Sequence, residues 1–94
     1  MAEIELDTSV KRSEGFTTAA VQDDLMMLNV EQGAYYSLDS IAAEIWKMLE
    51  NPSTARDLAG RLQPRYAVSL EQCQQDVLAF LEEMQANGMI LLVA

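Results

Sequence analysis

The stretch from Val30 to Trp46, VEQGAYYSLDSIAAEIW, changes its hydrophobic period halfway, and this limits the fold more than any other part of the chain. Up to Leu38 it reads as extended chain with a tight turn at Gly33, a residue free to take positive φ. From Asp39-Ser40 onward the apolar residues Ile41, Ile45, Met48 and Leu49 share one helix face, with Asp39 or Ser40 as the cap. Upstream, FTTAAVQ is β-branched and aromatic, Asp23-Asp24 marks a turn, and LMMLNV is an almost wholly apolar run. Residues 16–38 therefore read as three short strands, and tight turns make their pairing antiparallel. A meander this small must pack against something.

The remainder reads as helices. Pro52 ends the first. Ser53 can cap a second, in which Ala55, Leu58, Ala59 and Leu62 fall at helical spacing before Pro64 stops it. SLEQ, with Ser69 and Gln72, is a capping-box pattern opening a third helix. This helix runs through Leu70, Cys73, Val77, Phe80, Leu81 and Met84 and stops at Asn87-Gly88. MILLV then lies on the core as a short extended segment. The expectation is a single α+β domain over residues 1–94 with the order βββααα, in the manner of a winged helix-turn-helix, and residues 1–12 form a partly disordered, frayed end.

Composition narrows the chemistry. The chain has 15 acidic and 6 basic residues and no histidine. Without histidine, Ser-His-Asp and Cys-His catalysis are closed to it, and so are histidine-built metal sites. Cys73 is the one cysteine; it sits on the apolar face of the third helix and reads as a structural thiol, since reactive thiols need electropositive, partly exposed surroundings. It cannot form an internal disulfide, and no apolar run reaches membrane-spanning length. MAEIELDTSVKR lacks the apolar region of a secretory signal. The expected compartment is the cytoplasm. The glycines are isolated, so no phosphate-cradling loop exists. The chain is expected to be no enzyme and to hold no cofactor and no metal.

Winged-helix layouts suggest DNA, but the charges oppose it. All six basic residues precede the third helix, while Glu71, Asp76, Glu82 and Glu83 follow Tyr66. A negative recognition helix is repelled by phosphate. Nucleic acid and anionic membranes are therefore excluded as partners, and a basic or neutral partner fits. Solubility alone also explains such a charge.

A binding module remains. On a helical wheel the third helix has its apolar centre at Val77, with Cys73, Phe80 and Met84 on one flank and Leu78 and Leu81 on the other, an arc of about 160°. Asp76 and Glu83 border the Phe80 flank. Such a face can be all core, or it can divide between core and an exposed surface. The strand AYYSL, Ala34 to Leu38, can be a sheet edge with unpaired N–H and C=O groups. Beside the third helix it would form a groove to which an extended peptide adds as a strand. Tyr35 and Tyr36 point to opposite faces, one toward core and one accessible. The register of outward groups is open: Tyr35 and Ser37, or Ala34, Tyr36 and Leu38.

LMMLNVEQGAYYSLD, AAEIW, the Tyr66-x-Val68 pair and DVLAFLEEMQANGMI, taken in order over about Val10 to Leu92, resemble the PqqD-like family, the precursor-peptide recognition elements of ribosomally made, modified peptides. The resemblance implies the βββααα winged-helix fold and no catalysis. It implies that the leader part of a precursor peptide binds as an antiparallel strand in the groove and is delivered to a processing enzyme. The carried-over strand is Ala34, Tyr35, Tyr36, Ser37 and Leu38. The wheel supplies Asp76, Val77, Phe80, Glu83 and Met84. GAYYSLD is more similar to the stand-alone members of lasso-peptide and related pathways, whose partner is a separate leader peptidase, than to the members serving pyrroloquinoline quinone synthesis, whose partner is a radical S-adenosylmethionine enzyme. The competing expectations are a winged-helix transcription factor and a homodimer joined by the same edge strand, against a monomer.

Overall fold

A computed structural model describes residues 4–22 and 24–93. In chain order the elements are β1 (Ser9–Arg12), β2 (Phe16–Val21), β3 (Asp24–Asn29), β4 (Ala34–Leu38), α1 (Ser40–Met48), β5 (Ser53–Thr54), α2 (Ala55–Leu62), α3 (Leu70–Ala86) and β6 (Ile90–Leu92), with a 3₁₀ turn at Gln63–Arg65. The α+β architecture is as expected, with the meander preceding three helices. Three short strands, β1, β5 and β6, frame it as a second antiparallel sheet.

The meander has the order β2-β3-β4. Val21 pairs with Asp24, so Asp24 opens β3 and is no part of the turn; Gln22 carries the positive φ (58°) there. Asp23, the other expected turn residue, lies outside the described residues. Between β3 and β4, Asn29 Oδ1 accepts from the N–H groups of Glu31 and Gln32, both at 3.1 Å, and Gly33 takes φ +66°. A side-chain acceptor at the start and a left-handed residue at the end close a four-residue reversal. Alternation then buries Leu25 and Met27 of β3 and Leu38 of β4.

Of the expected frayed end, residues 1–3 lie outside the described residues, and Ser9–Arg12 form a strand. β1 is the centre of the β5-β1-β6 sheet, Val10 is fully buried and Ile4 packs in the core. Arg12 lays its guanidinium 4.7 Å from the centre of the Trp46 ring and donates from Nε to the Trp46 carbonyl at 3.0 Å. That carbonyl lies in the last turn of α1, where acceptors are short of partners and a cation complements the helix dipole. The expected extended segment MILLV contains β6, with Met89 and Ile90 buried.

The caps settle three expectations in different ways. Asp39 caps α1, its Oδ1 accepting from the Ala42 N–H at 3.0 Å. Thr54, not Ser53, caps α2, accepting from the Asp57 N–H at 3.2 Å; Ser53 lies in β5 and donates its hydroxyl to Asp57 instead. Ser69 caps α3 through the Gln72 N–H at 3.1 Å. The Gln72 amide donates to Asp76 Oδ1 at 2.9 Å, so the capping box is formed from one side only. At the far end of α3, Gly88 (φ +71°) donates to the Gln85 carbonyl at 3.0 Å and Met89 to the Met84 carbonyl at 2.8 Å. This pair of bonds is a Schellman motif, and it brings Met84 and Met89 together.

Candidate binding cleft

β4 is an edge of its sheet. Because the chain reverses directly after Val21, Val21 and Asp24 form a hydrogen-bonded pair, and alternation along β3 turns the backbone groups of Leu25, Met27 and Asn29 toward β4. Their partners are Leu38, Tyr36 and Ala34. The N–H and C=O groups of Tyr35 and Ser37 therefore face the open side, and the register question has one answer.

Beside this edge lies a cleft of about 360 Å³, toward the lower end of the roughly 300–1,000 Å³ usual for small-ligand sites. β4 contributes Tyr35, Tyr36, Ser37 and Leu38, followed by Asp39 and by Ala42 of α1. α3 contributes Phe80, Glu83 and Met84, followed by Asn87 and Met89. The floor is apolar and buried: Leu38, Ala42, Met84 and Met89. Tyr36 and Phe80 form half-buried walls packed against the core. Tyr35 is 72% exposed and stands on the rim with Ser37, Asp39, Glu83 and Asn87.

The structure thus brings together Tyr35, Tyr36, Ser37, Leu38, Phe80, Glu83 and Met84 of the expected residues. Ala34, Asp76 and Val77 do not line the cleft. Val77 is 1% exposed and belongs to the core. The broad apolar arc of α3 divides: Cys73, Val77, Leu81 and Met84 are buried, while Phe80 is half-exposed and Glu83 exposed on the next flank. Asp39, Ala42, Asn87 and Met89 were not expected. They sit at helix ends, where the visible signal is a cap, and only tertiary packing directs a cap residue at a groove.

The lining contains two carboxylates, Asp39 and Glu83, and no Lys or Arg. Asp76 lies one turn before Phe80, half-buried and hydrogen-bonded to Gln72. The Tyr66 phenol is held above its ordinary value, first by the charge of Asp76, then by desolvation, and more weakly by Cys73 and Asp39. Burial, with Asp76 as a lesser cause, pushes the Cys73 thiol up. The thiol lies 3.6 Å from the Ala59 carbonyl, to which it donates. A protonated, enclosed thiol is a packing group. Four of the six basic residues are engaged: Arg56 with Asp7 at 2.9 Å, Arg61 with Asp57 at 3.5 Å, Arg65 with Glu44 at 3.0 Å, and Arg12 on Trp46. Little positive charge is left for a phosphate backbone. Among the described residues, no helix is long and apolar enough to cross a membrane.

No curated protein matches the chain. Among solved structures it is similar to TbiB1 in complex with the TbiA(beta) leader peptide, at 23% identity and a TM-score of 0.80, over 89% of this chain and 98% of that one. It is also similar to lasso peptide synthetase B1 complexed with the leader peptide, at 23% identity and a TM-score of 0.76, over 87% of this chain and 96% of that one. At such identity these likenesses establish the fold. Residues 24–90 match the model of the family described as Coenzyme PQQ synthesis protein D (PqqD). That match runs from the first residue of β3 to the first residue of β6, well over half of the sequence, and the chain belongs to the PqqD family.

Proposed function

We infer that this protein is a non-catalytic recognition domain, which binds the leader segment of a ribosomal precursor peptide as an added strand and delivers it to a separate processing enzyme. The observation that carries the reading is the open edge of β4 beside α3, with an apolar floor between them. Tyr35 and Ser37 each offer one N–H and one C=O to an incoming backbone, which supplies affinity without regard to sequence. Alternate side chains of the added strand meet the cleft, which supplies selectivity. Both solved structures named above hold a leader peptide, and this supports the ligand class.

A lasso-type pathway, with a leader peptidase as partner, draws support from those same two structures. A quinone-type pathway, with a radical S-adenosylmethionine enzyme as partner, draws support from the family's description. Calorimetric titration with the leader segment of a ribosomal precursor peptide tests the shared part. Saturable one-to-one binding is expected, and no heat or shift at high micromolar peptide contradicts it. Co-purification with one or the other enzyme separates the pathways. Concentration-dependent dimerisation that peptide does not reverse would assign the β4 edge to pairing between copies.

A further inference from the structure

The ligand's own sequence pattern can be drawn from the cleft, and this step rests on the peptide-binding reading above. A strand bonded to Tyr35 and Ser37 places its intervening residue opposite Tyr36. The side chain there falls on the Tyr36 face of the sheet, toward Phe80 and Met84. Residues two positions away fall opposite Ala34 and Leu38. At the Leu38 end the chain passes into Asp39, which is exposed and uses only Oδ1 in capping α1.

Asp76 and Glu83 stand one turn before and one turn after Phe80, about 10 Å apart along α3. Glu83 has no ion-pair partner among the described residues. Asp39 lines the cleft at its Leu38 end and Glu83 lines it from α3. No basic side chain lines the cleft to offset them. An apolar floor with carboxylates around it, and no counter-charge of its own, is complementary to an apolar side chain with a cation nearby.

We propose that the cleft takes an extended peptide in this single register, with an apolar side chain opposite Tyr36 and a lysine or arginine two or three residues away, over Asp39.

Selection of a displayed library of random twelve-residue peptides against the intact chain tests this. Enriched sequences share one aliphatic or aromatic position and a basic residue two or three positions from it. The variant Asp39→Asn keeps the cap, because asparagine caps as well as aspartate. Selected against this variant, the library keeps the apolar position and loses the basic one. A synthetic peptide enriched on the wild type binds the variant roughly three- to tenfold more weakly at low salt. Enriched peptides with no basic preference, or equal affinity for the two proteins with unchanged melting, overturn the proposal and leave peptide binding standing. If no extended peptide is enriched at all, peptide binding fails and the proposal with it.

Discussion

β2 and β4 are the two edges of one meander, and they differ in what stands beside them. β2 is exposed along its length after Phe16, in small or β-branched residues: Thr17, Thr18, Ala19, Ala20 and Val21. β4 alternates, with Tyr36 packed on the core and Leu38 buried, and α3 supplies a second wall. Both edges have free backbone groups. By the same register, those of Phe16, Thr18 and Ala20 face outward in β2, as those of Tyr35 and Ser37 do in β4. An open edge offers hydrogen bonds to any strand. Only an edge with a flanking helix and an apolar floor adds a reward for a particular side chain. The difference between the candidate site and the bare edge therefore lies in α3 more than in the strands.

If that is so, the largest effects come from α3. Phe80→Ala weakens peptide binding by about 2–4 kcal/mol, as loss of a buried aromatic anchor does. Val77→Ala, three residues earlier on the same helix, lowers stability by about 1.5–3 kcal/mol and leaves the affinity of the folded fraction within about twofold. Thermal melting and titration on both variants separate the roles. Unchanged affinity in Phe80→Ala, with only a lower melting temperature, would make Phe80 a core residue and dissolve the contrast between the edges.

The edges themselves are compared by proline. Ser37→Pro removes an N–H that faces the open side, and Tyr36 before it is already extended, as proline requires. Binding falls at least about tenfold while circular dichroism stays native. Thr18→Pro removes an outward N–H of β2 and leaves affinity unchanged. Equal losses in both variants would mean that the peptide does not choose β4.

How much of this was legible in the sequence follows from element length and from where partners lie. The meander, α1 and α3 carry period, turn residues and caps within a few positions of one another, and local chemistry suffices to read them. β1 and β5 do not. SVKR has one buried side chain, Val10, and its neighbours β5 and β6 are distant in the chain, so no periodicity marks it. The cleft was half-legible for a related reason. The wheel finds an over-wide apolar arc on α3, but whether Val77 or Phe80 faces the core depends on where β4 and α1 pack. Asp39 and Met89 reach the cleft through a cap and a Schellman turn, whose local signals say only that a helix begins or ends.

The smallest expected effect is electrostatic. With Asp39 and Glu83 on the rim and no basic residue in the lining, a basic peptide binds a few-fold more weakly at physiological than at low ionic strength, and Glu83→Lys removes part of that dependence. Titration across salt concentrations measures it. A flat wild-type affinity would remove the charges from the account and leave the apolar cleft.

Amide hydrogen exchange with and without saturating peptide tests strand addition at β4 most directly. In the free protein the Tyr35 and Ser37 amides face solvent and exchange fast, while those of Tyr36 and Leu38, bonded to β3, are protected. Bound peptide slows Tyr35 and Ser37 and leaves the outward amides of Thr18 and Ala20 fast. Peptide that saturates the protein without slowing Tyr35 or Ser37, or that slows Thr18 and Ala20 instead, would contradict strand addition at β4.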